Sequence, residues 1–110
     1  MRNIEPLLVF SNCADEPTAR NIANALIEAD QAACVNVVPG LRSVYKWEGK
    51  PCDASEYLLL IKTTSAGFTA VQNTIKTMHP HELPEIIAVP ISAGLPAYLD
   101  WIMTSVKDSA

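Results

Sequence analysis

The chain has 110 residues, the size of a single domain. Apolar residues make up 49% and charged residues 18%, which excludes a disordered chain and leaves enough apolar material for one small core. The net charge of −4, with no basic run, argues against a nucleic-acid or anionic-membrane partner.

No apolar stretch approaches the roughly 18 residues of a membrane span. Glu5 and Pro6 interrupt the apolar continuity that an export signal requires. A cytoplasmic location is the expectation. The cysteines, Cys13, Cys34 and Cys52, are odd in number and form no Cys-x-x-Cys pair, so a disulfide framework is not expected. Cys34 lies in the apolar stretch Ala32-Ala33-Cys34-Val35 and reads as core filling. Cys13 and Cys52 have polar neighbours and read as candidate thiol ligands.

In chain order, Pro6 to Ser11 is a short apolar run and reads as a buried strand. Asp15 and Glu16 before Pro17 signal a helix start. Ala19, Ile22, Ala23, Leu26 and Ile27 then give one apolar helical face, ending near Asp30. Ala33 to Val38 is a second β run, broken by Pro39-Gly40. From Leu41 the pattern alternates, with Ser43, Tyr45 and Trp47 on one face and Arg42, Val44 and Lys46 on the other. Glu48-Gly49-Lys50 reads as a hairpin turn, and Glu56 to Thr63 as the return strand. Ser65 is the expected N-cap of a second helix with the stripe Phe68, Val71, Ile75 and Met78, stopped by His79-Pro80. Glu85 to Ile91 reads as a fourth strand and Tyr98 to Met103 as a terminal helix. The order β-α-β-β-α-β predicts an α+β, ferredoxin-like antiparallel sheet in one domain over residues 1–110, with the two main helices on one face.

Residues 35–47 would extend roughly 40 Å at about 3.3 Å per residue. A compact chain of this length has a radius of gyration of about 13 Å. The hairpin therefore either bends at Pro39-Gly40 or overhangs the body. An overhanging ribbon with Val44, Tyr45 and Trp47 exposes apolar surface and free strand edges. The sheet face opposite the helices also needs a cover. Both point to a closed homo-oligomer.

Chemistry-bearing residues are few. There is no glycine-rich phosphate loop, no G-x-S-x-G elbow and no spacing that pairs a nucleophile with a base, so no catalytic residue is assigned. The densest polar group is His79, His81, Glu82 and Glu85. Extended backbone before Pro80 would project residues 79 and 81 to one side. Imidazole with carboxylate suits copper(II), zinc or nickel, and the Met78 thioether would favour copper(I). One segment does not supply the four ligands of a structural site, so a weak, transient one is expected. Lys62, at the end of an apolar strand, either snorkels or serves an anion cleft between subunits, where Tyr45 and Trp47 would stack a ligand.

Taken together, Ala33-Cys34-Val35-Asn36-Val37-Val38-Pro39-Gly40, Ser43-x-Tyr45-x-Trp47-Glu48-Gly49-Lys50, Lys62-Thr63-Thr64, His79-Pro80-x-Glu82-x-Pro84-Glu85-Ile86-Ile87 and Tyr98-Leu99-x-Trp101 resemble the CutA divalent-cation-tolerance family over about residues 7 to 103. The resemblance implies a ferredoxin-like subunit in a homotrimer similar to the PII signalling proteins. It also implies tolerance of copper and other divalent ions, copper binding in some members, and no enzymatic reaction. Where some bacterial members carry a copper-ligating cysteine at the end of the first strand, this chain has Ser11, with Cys13 two residues on. Of the paired histidines that can precede the proline, His79 matches and Met78 takes the other place; Glu85 matches the family's Pro-Glu. The first expectation is a non-catalytic metal-response homotrimer binding copper or another divalent ion through His79, with Glu85, His81 or Met78 helping. The alternative is a PII-like sensor that binds an anionic metabolite between subunits through Lys62, Tyr45 and Trp47.

Overall fold

The computed structural model describes residues 3–108. The elements are β1 (Pro6–Cys13), α1 (Glu16–Glu28), β2 (Cys34–Trp47), β3 (Lys50–Thr64), α2 (Phe68–Met78), β4 (Ile87–Pro90) and α3 (Pro96–Ser105). The strands form one antiparallel sheet in the order β2-β3-β1-β4. This is the ferredoxin-like arrangement that the element order predicts.

Strand alternation decides what enters the core. Val9, Ser11 and Cys13 of β1 stand opposite Ile61, Leu59 and Tyr57 of β3, on the side that packs against α1 and α2. Ile22 and Leu26 of α1 and Val71 and Ile75 of α2 complete that core, all fully buried. Each such side chain contributes about 1.5–3 kcal/mol of transfer free energy. Cys13 belongs to this cluster, which corrects its reading as a thiol in polar surroundings. Its sequence neighbours are polar, but the strand runs two residues beyond Ser11 and turns Cys13 inward.

Asp15 caps α1, its Oδ1 accepting from the Thr18 N–H at 2.8 Å. These hydrogen bonds from Thr18 hold the Asp15 carboxyl below its ordinary value. The second helix departs from expectation. Ser65 does not cap it; its hydroxyl accepts from the Glu5 N–H at 2.9 Å. Gly67 occupies the N-cap position, and its N–H donates to Thr64 Oγ1 at 3.1 Å. The fourth strand is shorter than the apolar run, covering Ile87–Pro90 only.

Beyond the helices, β2 and β3 continue as a two-stranded arm. Pro39 and Gly40 do not break β2. They oppose the single residue Tyr57, in a bulge between the pairs Val38–Leu58 and Leu41–Glu56. Gly40, at φ +84°, takes a left-handed conformation that a side chain would resist. The tip is a two-residue turn, Glu48 and Gly49, between the paired Trp47 and Lys50, with φ of 50° and 79°. Both positive angles match a type I′ turn. The arm is not folded back: the molecule measures 45 × 26 × 25 Å, with a radius of gyration of 14.4 Å.

On the other face of the sheet, Leu8, Phe10, Leu58 and Leu60 are half-buried, and Val38, Ile87 and Val89 are exposed. α3 contacts β1 and β3, and Lys107 N–H donates to the Asp30 carbonyl at 2.7 Å. Burial, then the neighbouring Cys34, raises the Tyr98 hydroxyl above its ordinary value, placing the start of α3 beside Cys34. Cys34 itself is half-buried and lies on this second face, outside the main core. Among the described residues no helix is long and apolar enough to cross a membrane.

Candidate functional site

α2 ends at Met78, and His79 leaves it in extended conformation (φ −77°, ψ 133°), as the following Pro80 requires. The His79 side chain is only 6% exposed. Its Nδ1 accepts from the His81 N–H at 3.1 Å, and its Nε2 lies 2.7 Å from the Asn12 carbonyl oxygen. An accepting Nδ1 needs a lone pair, so the network assigns the proton to Nε2, which donates to Asn12. The imidazole thus ties the α2–β4 loop to the end of β1. The extended segment brings the two histidines together, with ring centroids 4.8 Å apart and planes tilted by 59°.

Between this loop and the arm lies a cleft of about 720 Å³. The loop contributes His81, Glu82, Leu83 and Glu85, and the arm Ser43, Val44, Tyr45 and Trp47. Asn12 and Glu56 form its floor, where β1 and β3 pass beneath. Glu56 is 7% exposed, and its described hydrogen bond is a long one from Asn12 Nδ2, at 3.4 Å. Partial burial, then Cys52 and the Glu56 charge, raises the Tyr45 hydroxyl, which stays a donor at neutral pH. Burial, followed by the charges of Asp15 and Glu56, pushes the Cys13 thiol up to about 11. The core thiol is therefore protonated at neutral pH and is a poor metal ligand.

The cleft unites Tyr45 and Trp47 with His81, Glu82 and Glu85, all singled out in the sequence. His79 supports it from the buried side, and Met78 is exposed on the last turn of α2. Lys62 is not part of it. That residue pairs with Cys34, ten positions along β3 from the Cys52 that faces Tyr45, a separation of about 33 Å. Its ammonium donates to Asn36 Oδ1 and lies 3.9 Å from Cys34 Sγ. Register along the long strand, rather than proximity to an apolar run, decides this placement. Among the described residues, no three of His, Cys, Asp and Glu are grouped closely enough to hold a metal ion. Glu56 and Asn12 were missed in the sequence. The available signal was a carboxylate beginning the apolar run Glu56 to Ile61.

The family model of the CutA1 divalent ion tolerance protein matches residues 7–105. The divalent-cation tolerance protein CutA of Thermus thermophilus is 46% identical over 95 residues, covering 86% of this chain and 92% of that protein. Mouse protein CutA is 42% identical over 93 residues, covering 84% of this chain; the chain spans about half of that protein, 52%. Among solved structures, Cut A1 of T. thermophilus superposes with a TM-score of 0.90 at 43% identity, covering 93% of this chain and 99% of that one. CutA of Xylella fastidiosa also gives a TM-score of 0.90 at 43% identity, covering 94% and 99%. The family is named for tolerance of divalent ions rather than for a reaction. An Arabidopsis relative is named chloroplastic and an Archaeoglobus one periplasmic. By the extent of the family match and the identity to the Thermus protein, the chain belongs to the CutA1 divalent ion tolerance family.

Proposed function

We propose that this chain acts as a non-catalytic, cytoplasmic homotrimer that serves divalent-ion tolerance by weak, reversible capture of copper or another divalent ion at the mouth of the cleft. The observation that carries this reading is the cleft's charge. Glu56, Glu82 and Glu85 line it together with His81, and among the described residues that line it none is Lys or Arg. An imidazole and carboxylates suit copper(II), and Met78 on the adjacent helical turn offers a thioether for copper(I). His81 and Glu85 are the leading ligands. His79, with both ring nitrogens hydrogen-bonded, acts by holding His81 in place. Fewer than four convergent ligands make the capture labile. The homotrimer is supported by the overhanging arm and the uncovered apolar sheet face. The three carboxylates of this cleft, which lies within one chain, would repel an anion; the anionic-metabolite alternative places its ligand between subunits instead.

Calorimetric titration of copper(II) into the native protein, His81→Ala and Glu85→Gln tests the site. Affinity is expected to fall about tenfold or more in each variant; equal heats in all three reject the assignment. Light scattering during size exclusion is expected to give three times the 11.9 kDa chain mass, and a monomer at micromolar concentration rejects the trimer.

A further inference from the structure

Cys34 of β2 and Lys62 of β3 stand directly opposite each other, with both side chains on the second face of the sheet. The Lys62 Nζ lies 3.9 Å from Cys34 Sγ. It also donates to Asn36 Oδ1, which holds the lysine chain along the strand beside the sulfur. The Tyr98 hydroxyl, at the start of α3, lies beside the same sulfur. Cross-strand register thus brings a thiol and an amine together within one chain, against that chain's own α3. The meeting does not depend on what covers the rest of the sheet face. A thiol that loses electrons commonly closes a disulfide, but neither of the other cysteines can serve. Cys13 is buried on the helix side of the sheet. Cys52 lies ten positions along β3 from Lys62, a separation of about 33 Å. The nitrogen within reach of an oxidised Cys34 is Lys62.

We propose that Cys34 and Lys62 are a peroxide-responsive pair that closes reversibly to a sulfenamide, an S–N bond joining β2 to β3. The Cys34 sulfur, having given its proton to solvent, attacks one oxygen of hydrogen peroxide and the O–O bond breaks. The departing hydroxide takes a proton from the Lys62 ammonium and leaves as water. Cys34 is then a sulfenic acid, and Lys62 a neutral amine beside it. The Lys62 nitrogen attacks the sulfur, the S–O bond breaks, and a second water leaves with the sulfenic oxygen and an amine proton. Sulfur is oxidised by the electron pair that peroxide gains, and the thiol proton is the one released. Hydrogen peroxide is little larger than water, so the reaction draws on strand register and a small oxidant, not on an open binding surface. No residue of the metal-capture reading takes part.

The test uses the full chain in its native assembly, freed of metal by a chelator so that copper does not decompose the oxidant. It carries Cys52→Ser, because a Cys34–Cys52 disulfide would join the same tryptic peptides. Hydrogen peroxide is added, free thiols are alkylated, and intact and peptide masses are measured. A loss of about 2 Da is expected, restored by dithiothreitol. Trypsin is expected to stop cleaving after Lys62, and the peptide of residues 21–42 to be joined to the one that holds Lys62. Lys62→Arg keeps the positive charge but offers a poor nucleophile. It is expected to lose the cross-link and to leave a sulfenic acid on Cys34 that dimedone traps. Three results overturn the proposal: Cys34 that stays reduced in the assembled protein, Cys34 carried to sulfinic acid while trypsin still cleaves after Lys62, and an equal mass loss in Lys62→Arg.

Discussion

Ser11 faces the helices from β1, between Val9 and Cys13 and opposite Leu59. It has no exposed surface, and its hydroxyl has no hydrogen-bond partner. A hydroxyl removed from water with nothing in exchange costs about 1–3 kcal/mol. Ser11→Ala removes that cost and gives up the packing of one oxygen, a volume of about 15–20 Å³. At about 24 cal/mol per Å³ the resulting void costs about 0.4 kcal/mol. The expected net effect is a gain of about 1 kcal/mol, or about 4 °C in Tm for a domain of this size. Urea unfolding at one fixed protein concentration measures it, because association makes apparent stability depend on concentration. A loss of about 1 kcal/mol or more in Ser11→Ala would mean the hydroxyl is satisfied in solution, and the reasoning would fall.

Gly67→Ala would place a Cβ 2.6 Å from Val106 Cγ1 and 2.9 Å from Thr63 Oγ1, the hydroxyl that donates to the Gln31 carbonyl. It is expected to cost about 1–2 kcal/mol and to speed proteolysis of the segment after α3; a native-like melting curve contradicts the close approach. Glu48→Asn relieves a non-glycine residue at φ 50° in the arm's turn, with an expected gain of about 0.5 kcal/mol in thermal unfolding. No gain would argue against the left-handed turn. Folding raises the Cys13 thiol from 9.0 to about 11, so the folded state holds this proton more tightly than the unfolded chain. Its stabilising contribution is complete below pH 9 and is lost as pH rises from 9.0 to about 11. Tm measured across that window is expected to fall more steeply in the native protein than in Cys13→Ala, and equal slopes refute the burial argument.

Periodicity made the fold readable. The apolar faces of α1 and α2 and the alternation of Ser43, Tyr45 and Trp47 carried the element order, and the length of β2 and β3 carried the overhang. Local chemistry misled at Ser65, whose hydroxyl is drawn to Glu5 while Thr64 prepares the turn at Gly67. Cys13 was misplaced because its neighbours in sequence are not its neighbours in space. At the site, the extended residue before Pro80 made the His79–His81 pairing legible. The hydrogen bond of His79 Nε2 was not, since its partner Asn12 lies 67 positions away. Glu56 escaped for the same reason: its burial depends on β1, the loop and the arm meeting over one point of β3.

The two-for-one pairing at Pro39 and Gly40 sets the sidedness of the arm. Before it, odd-numbered residues of β2 look toward α1 and α2; after it, odd-numbered residues look the opposite way. Were these same residues to pair one for one, with no bulge, every later side chain would turn to the opposite face. Arg42, Val44 and Lys46 would then take the places of Tyr45 and Trp47 along the cleft while the core beneath kept its contacts. A single extra backbone unit, and not any choice of side chain, fixes which surface of the protein can receive a guest.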